Sequence, residues 1–125
     1  MIANAKTKYV RASARKVRLV MDLIKGKTVE EANYILDNVN KRAGGFIKKT
    51  LNSAFANANF NKQEKFLSKD VYILAIKADE GPMFMRYRAA TMGRATPIRH
   101  RTSHIYIELE QITGKTPKKK KAGRK

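Results

Sequence analysis

Five arginines crowd into residues 81–107, a stretch that holds neither lysine nor acid. Arg86 and Arg88 stand two apart, as do Arg99 and Arg101, with Arg94 between the pairs. Side chains two apart on an extended chain share a face. Rows of guanidinium groups meet phosphate oxygens bidentately and stack on bases. Catalytic combinations are harder to assemble. His100 and His104 have the i, i+4 spacing that brings two metal ligands together on a helix. Pro97, Ile98 and Thr102 around them favour a strand, where that spacing leaves them on one face but roughly 13 Å apart, too far to share an ion. Ser103 and His104 are adjacent, and adjacency on a strand sends side chains to opposite faces, so they make no nucleophile–base pair. Glu30-Glu31 and Asp79-Glu80 are paired carboxylates, but the first belongs to a helix cap and the second to the mouth of a hairpin. No glycine fingerprint for a nucleotide is present, and Gly44-Gly45 is only a doublet. The chemistry on offer is anion binding, with no catalysis, metal or cofactor expected.

The charge distribution points the same way. The 125 residues carry 28 Lys+Arg against 10 Asp+Glu, a formal net charge of +18. Lys6, Lys8, Arg11, Arg15, Lys16 and Arg18 occupy residues 1–21 without an acid. Residues 22–80 are nearly balanced, with ten basic and eight acidic side chains. The arginine stretch follows, and residues 111–125 add seven more bases and no acid. A surface charged for solubility alone intersperses both signs. Segregated fields of one sign repel themselves unless a polyanion neutralises them, so nucleic acid is the expected partner. An anionic membrane fits less well, because no segment pairs a basic face with a large apolar one. There is no cysteine, which removes disulfides, thiol redox chemistry and thiolate metal sites. Residues 1–11 lack the apolar run of a secretory signal, and the apolar run 71–76 is too short to span a bilayer, so an intracellular protein is expected.

These basic side chains need elements to position them. Residues 3–10, with Tyr9 and Val10, read as a strand. Ser13 is a candidate helix cap, after which Val17, Val20, Met21 and Ile24 recur at helical spacing until Gly26 stops the turn. Thr28-Val29-Glu30-Glu31 has the form of a capping box, opening a second helix with Val29, Ala32, Leu36 and Val39 on one face. A third helix is predicted over 41–59, with Ala43, Ile47, Leu51, Ala54 and Ala58 as its stripe. Gly44 and Gly45 in its first turns cost roughly 1 kcal/mol each relative to alanine, which implies a close helix approach or a frayed start. After a polar connection at 61–69, residues 71–76 are apolar on both faces and predict a central strand. Ile105, Ile107 and Leu109 alternate with Tyr106, Glu108 and Glu110 in another strand. Residues 80–104 lie between these two strands as an extended hairpin turning near Thr91-Met92-Gly93. Arms of about ten residues project roughly 30 Å at ~3.3 Å per residue. Phe84, Tyr87 and Ile98 interleave with the arginines, and Ala89, Ala90, Gly93 and Ala95 keep the tip small, as suits an ordered arm embedded in a partner. A single domain over 1–112 is therefore expected, followed by a lysine-rich tail over 113–125 with nothing apolar to anchor it, disordered without a partner.

Several segments together carry a family resemblance. Residues 13–20 (SARKVRLV), 24–27 (IKGK), 51–58 (LNSAFANA), 79–82 (DEGP), 93–95 (GRA) and 101–105 (RTSHI) occur in that order. The set, spanning about residues 6–110, resembles the family of the twenty-second protein of the large ribosomal subunit in its shorter bacterial or organellar form. The resemblance implies an α+β fold: three helices packed on a small three-stranded antiparallel sheet, with a long protruding β-hairpin. It implies a structural constituent of the cytoplasmic or organellar ribosome, and as partners large-subunit ribosomal RNA, neighbouring ribosomal proteins and, transiently, the nascent polypeptide. No membrane and no second copy of the chain are expected as partners. Arg15, Lys16 and Arg18 would face RNA from the first helix, joined by Lys6, Lys8 and Arg11 of the same basic zone. Arg86, Arg88, Arg94, Arg99 and Arg101 would clamp RNA along the arm. Ala90, Thr91, Met92, Gly93 and Arg94 would lie nearest the nascent chain in the wall of the exit tunnel. The tip departs from the family pattern, since many members are basic where Met85, Ala90 and Met92 stand here, which implies a less positive tunnel surface. The four lysines at 118–121 are not a shared feature.

Two other readings compete on the residues alone. A DNA-architectural protein also pairs a small body with basic β-arms, but such arms often carry an apolar wedge, whereas this tip is small. An RNA-acting enzyme with a guide arm would need His100 or His104 for turnover.

Overall fold

The computed structural model describes residues 1–60 and 65–113. The chain opens with a strand over Ala3–Val10 (β1). A helix over Ala14–Ile24 (α1) follows, and its Val17, Val20, Met21 and Ile24 are buried. Ser13 stands at the helix start, where its carbonyl accepts the Val17 amide at 3.0 Å. Its hydroxyl caps nothing, contrary to expectation. Gly26, at φ +73°, turns the chain out of α1 in a conformation that costs other residues steric strain. The capping box forms: Thr28 Oγ1 accepts the Glu31 amide at 3.2 Å, and a Glu31 carboxylate oxygen accepts the Thr28 amide at 3.4 Å. It starts a helix over Val29–Asn38 (α2), and a longer one covers Arg42–Asn59 (α3). At Gly44 a Cβ would stand 3.6 Å from the Leu36 carbonyl oxygen, so α2 and α3 lie close but leave room for alanine. Nothing lies within 4 Å of such an atom at Gly45.

Strands over Val71–Glu80 (β2), Phe84–Ala89 (β3), Ala95–His100 (β4) and Ser103–Gln111 (β5) complete the described chain. With β1, two of them form a three-stranded antiparallel sheet in the order β1-β5-β2. The central strand is thus β5, and the apolar run in β2 lies on an edge, which corrects the sequence expectation. Leu74 is the extra residue of a bulge between the pairs Ile73–Leu109 and Ala75–Glu108, and it turns outward, 41% exposed. The free side of β2 meets the α1–α2 connection instead of a strand: the Ile73 amide bonds to the Lys27 carbonyl at 2.9 Å. Apolar side chains on two faces of a short run do not reveal which neighbour stands beside it.

The helices cover one face of the sheet, with α3 across β1 and β5 and α1 against β2. Ile105, Ile107 and Leu109 of β5, Ile73 of β2, Val17 and Ile24 of α1, and Ile47 and Leu51 of α3 meet in a single core. Thr50 is the polar residue of α3 within it; its hydroxyl contacts the Thr7 hydroxyl at 2.8 Å and the Phe46 carbonyl at 3.0 Å, so it is not buried unpaired. A second bulge sets Lys8 and Tyr9 of β1 opposite His104, and Tyr9 takes φ +58° there. Its amide donates to His104 Nδ1 at 3.1 Å.

The hairpin is a separate two-stranded sheet of β3 and β4. One turn of 3-10 helix at Thr91–Gly93 reverses it, closed by the Ala90 amide on the Arg94 carbonyl at 2.8 Å. Six residues per arm make the regular ladder, fewer than the ten expected. The break lies at the root, where Pro82 has no amide to donate. There the Gly81 amide bonds to the Thr102 carbonyl at 2.9 Å, and the Thr102 hydroxyl donates to the Pro82 carbonyl at 2.6 Å. A Cβ at Gly81 would stand 2.4 Å from Thr102 Oγ1, so glycine is required for this approach. The expected tail over 113–125 lies outside the described residues, Thr113 excepted.

Candidate nucleic-acid interface

The ladder decides how the arm presents its cations. Arg86 pairs with Ile98 and Arg88 with Thr96, placing both arginines on the face that also holds Phe84 and His100. Arg99 pairs with Met85, on the opposite face. A ribbon with guanidinium groups on both faces has no dry side to lay on its own body. Accordingly, every residue of β3 is exposed, and in β4 only Ile98 is partly covered. Arg94 closes the tip, where Met92, at φ +59°, is 94% exposed.

Where the arm leaves the body, it forms one wall of a groove of about 1110 Å³. Arg86, Arg99 and Arg101 line it from the hairpin side. Arg11 and Lys16 line it from the start of α1, and Lys41 and Arg42 from the start of α3. Among the described residues no acid lines it. Apolar side chains share the lining: Leu19 and Leu23 of α1 are 68% and 51% exposed, and Phe84 is 44% exposed. The Arg11 guanidinium lies 5.8 Å from the centroid of the Phe84 ring, tying the approach to α1 to the arm. Cations converging around a concavity focus a positive potential in it.

The structure thus brings together five of the expected residues, Arg11, Lys16, Arg86, Arg99 and Arg101. Arg88 and Arg94 lie farther out on the arm. Lys6 pairs with Tyr106 on the sheet face that the helices leave uncovered, and Lys8 sits in the bulge beside Tyr9. Arg15 is exposed but does not line the groove. Arg18 has a structural tie: its Nε and Nη2 donate to the Ala78 carbonyl at 3.0 and 2.8 Å, fastening α1 to β2. A guanidinium has further N–H donors beyond the two used here. Lys41, Arg42, Leu19 and Leu23 were not singled out by sequence. The two cations vanish in the balanced charge of residues 22–80, and exposed leucines are ordinary until a concavity collects them.

The uncovered sheet face is different in character. The Tyr72 hydroxyl donates to Glu110 at 2.9 Å, and the Tyr106 hydroxyl donates to Glu108 at 2.8 Å. These bonds to carboxylates hold both phenols above their ordinary pKa. The Tyr72 hydrogen bond, followed by the Met1 amine, holds Glu110 below its ordinary value. His104 accepts the Tyr9 amide and meets the Tyr9 ring edge-on at 5.0 Å, a structural role at the arm's root, while His100 opens onto the groove. Among the described residues, no three His, Cys, Asp or Glu side chains gather as a metal site, and no helix is long and apolar enough to cross a membrane.

Comparison with known proteins gives a family. Residues 5–110 match the family described as Ribosomal protein L22p/L17e. The large ribosomal subunit protein uL22 of Halothermothrix orenii is 49% identical over 111 residues, covering 89% of this chain and 96% of that one. Its namesake in Thermus thermophilus is 48% identical over 115 residues, covering 92% and 100%. That of Syntrophus aciditrophicus is 46% identical over 113 residues, covering 89% and 99%.

Proposed function

The chain belongs to the ribosomal protein L22p/L17e family, and from that premise we propose that it binds and organises large-subunit ribosomal RNA and lends its hairpin tip to the wall of the peptide exit tunnel. It is a structural protein of the large ribosomal subunit, not an enzyme, and its bacterial relatives carry that role in their names. Neighbouring ribosomal proteins are its other lasting contacts, and the nascent polypeptide a passing one. The observation that carries the RNA reading is the convergence of seven cations, and no acid among the described residues, on the groove at the root of the arm. RNA brings phosphates together when it folds, and fixed cations lower the cost of that crowding. The arm, cationic on both faces, suits a position between two RNA segments. The tip suits a confined passage, since Ala89, Ala90, Gly93 and Ala95 are small and its one basic side chain is Arg94.

Two measurements test this. Binding of large-subunit ribosomal RNA fragments should weaken steeply with salt, and each phosphate contact removed should flatten the logarithmic salt slope by somewhat under about one unit. Indifference to these fragments at low ionic strength would end the RNA reading. A photocrosslinker at Met92 in assembled subunits should label nascent chains; labelling of RNA alone would withdraw the tip from the tunnel wall.

A further inference from the structure

We infer that the groove at the root of the arm holds an unpaired stretch of RNA with at least one base turned inward onto Leu19, Leu23 and Phe84. The inference rests on the RNA reading above and narrows it to a form of RNA. Its starting point is the mixed character of the groove's lining. Cations enter the lining from three directions: α1, the start of α3 and the hairpin. That arrangement is complementary to a polyanion and unfavourable to a basic or neutral peptide. The same lining holds apolar side chains: Leu19 and Leu23, one helical turn apart, with Val39 and Phe84. A paired helix keeps its bases stacked inside and offers phosphates and riboses to a protein. Against such a surface the two leucines would strip water from phosphates and riboses without replacing its hydrogen bonds. An unpaired strand can place phosphates on the cations and an unstacked base on the apolar side chains, matching both chemistries at once.

The leucines themselves favour this occupant. Single leucines at a protein surface need no explanation. Here two at i, i+4 spacing, 68% and 51% exposed, share one concavity with a phenylalanine that has a guanidinium over its ring. Arg11 and Phe84 together make a platform of the kind on which bases stack. The volume, about 1110 Å³, exceeds the roughly 300–1,000 Å³ of pockets that enclose one small ligand. A strand passing through it is not confined to one nucleotide.

The test uses the full chain, an unpaired RNA of mixed sequence carrying a fluorescent adenine analogue, and the blunt duplex of the same strand. The unpaired RNA should bind roughly tenfold or more tightly than the duplex, with a change in analogue fluorescence. Replacing both leucines (Leu19→Ser with Leu23→Ser) should weaken unpaired RNA by about tenfold. It should leave duplex binding and the salt slope unchanged, because no phosphate contact is lost. Phe84→Ala should weaken it likewise, while Phe84→Tyr, which keeps the ring, should restore affinity. Equal affinity for duplex and unpaired RNA would overturn the inference. Undiminished binding by the double-serine variant would also overturn it, leaving the leucines to a neighbouring protein. In both cases the RNA reading survives. Failure of either RNA to bind the unaltered chain would remove that reading itself.

Discussion

In β5 every second residue from Ser103 to Leu109 is buried, whereas in β3 every residue from Phe84 to Ala89 is exposed, although only two residues lie between β5 and the hairpin that contains β3. The first strand is held by what its side chains touch. The second is held by its ladder to β4, by the closed turn at the tip and by the Gly81–Thr102–Pro82 contacts at its root. An isolated two-stranded ribbon is marginal in water, so the arm borrows order from the body and, in the proposed setting, from RNA. The contrast teaches a division of labour. Burial selects the side chains of the body, and since the arm contributes little burial, its side chains are free to answer to a partner.

That division can be broken or sharpened by substitution. The largest effect should come from Ile107→Ala, at the centre of the sheet and fully buried. It should cost about 2–5 kcal/mol in urea unfolding; a loss below about 1 kcal/mol would mean that β5 is not the keystone of the core. Gly81→Ala drives a Cβ against the Thr102 hydroxyl and should cost about 1–3 kcal/mol. Amide shifts along β3 and β4 should move with it, since the arm's root must open. Unmoved hairpin shifts would disconnect the root from the arm's order. A paired experiment follows: Arg18→Ala removes two hydrogen bonds to the Ala78 carbonyl and should lower stability by about 1 kcal/mol. Arg99→Ala should leave thermal unfolding unchanged and weaken RNA binding. Should Arg99→Ala melt the body instead, the division fails. Gly45→Ala faces open space within α3 and should stabilise by roughly 0.5–1 kcal/mol, which calorimetry would register without any change in RNA affinity.

The smallest expected effect concerns acid. Glu110 is held below its ordinary pKa by Tyr72 and the Met1 amine. Its contribution is therefore complete above the pKa of the unfolded carboxyl and is lost as pH falls through the lowered folded value. Glu110→Gln should remove a slight part of the stability gained between those two pH values. An identical pH profile for variant and parent would show that this exposed pair contributes nothing.

Much of the fold was legible because its signals are local. The Thr28–Glu31 box, the break at Gly26 and the stripe from Ala43 to Ala58 each lie within a few turns of chain, where propensity and capping operate. The alternation through Ile105, Ile107 and Leu109 and the turn at residues 91–93 are equally short-range. The edge position of β2 was not legible, because strand order depends on what meets each side of a strand, and here the Lys27 carbonyl occupies one side. Nor was the positive φ of Tyr9, which arises from matching two residues against His104 across the sheet. Five of the groove's seven cations were visible: Arg11 and Lys16 stand in the acid-free start of the chain, and Arg86, Arg99 and Arg101 in the acid-free arm. Lys41 and Arg42 were hidden among nearby carboxylates in the count, although folding gives them no carboxylate company in the groove.

By itself the amino-acid order determined the sign of the charge, its segregation and the existence of a basic arm, because composition and period are properties of the chain. Tertiary structure alone decided that residues 11, 19, 42, 86 and 99 share one concavity. Concavity belongs to the relative placement of α1, α3 and the hairpin, which long-range packing sets and no local pattern encodes.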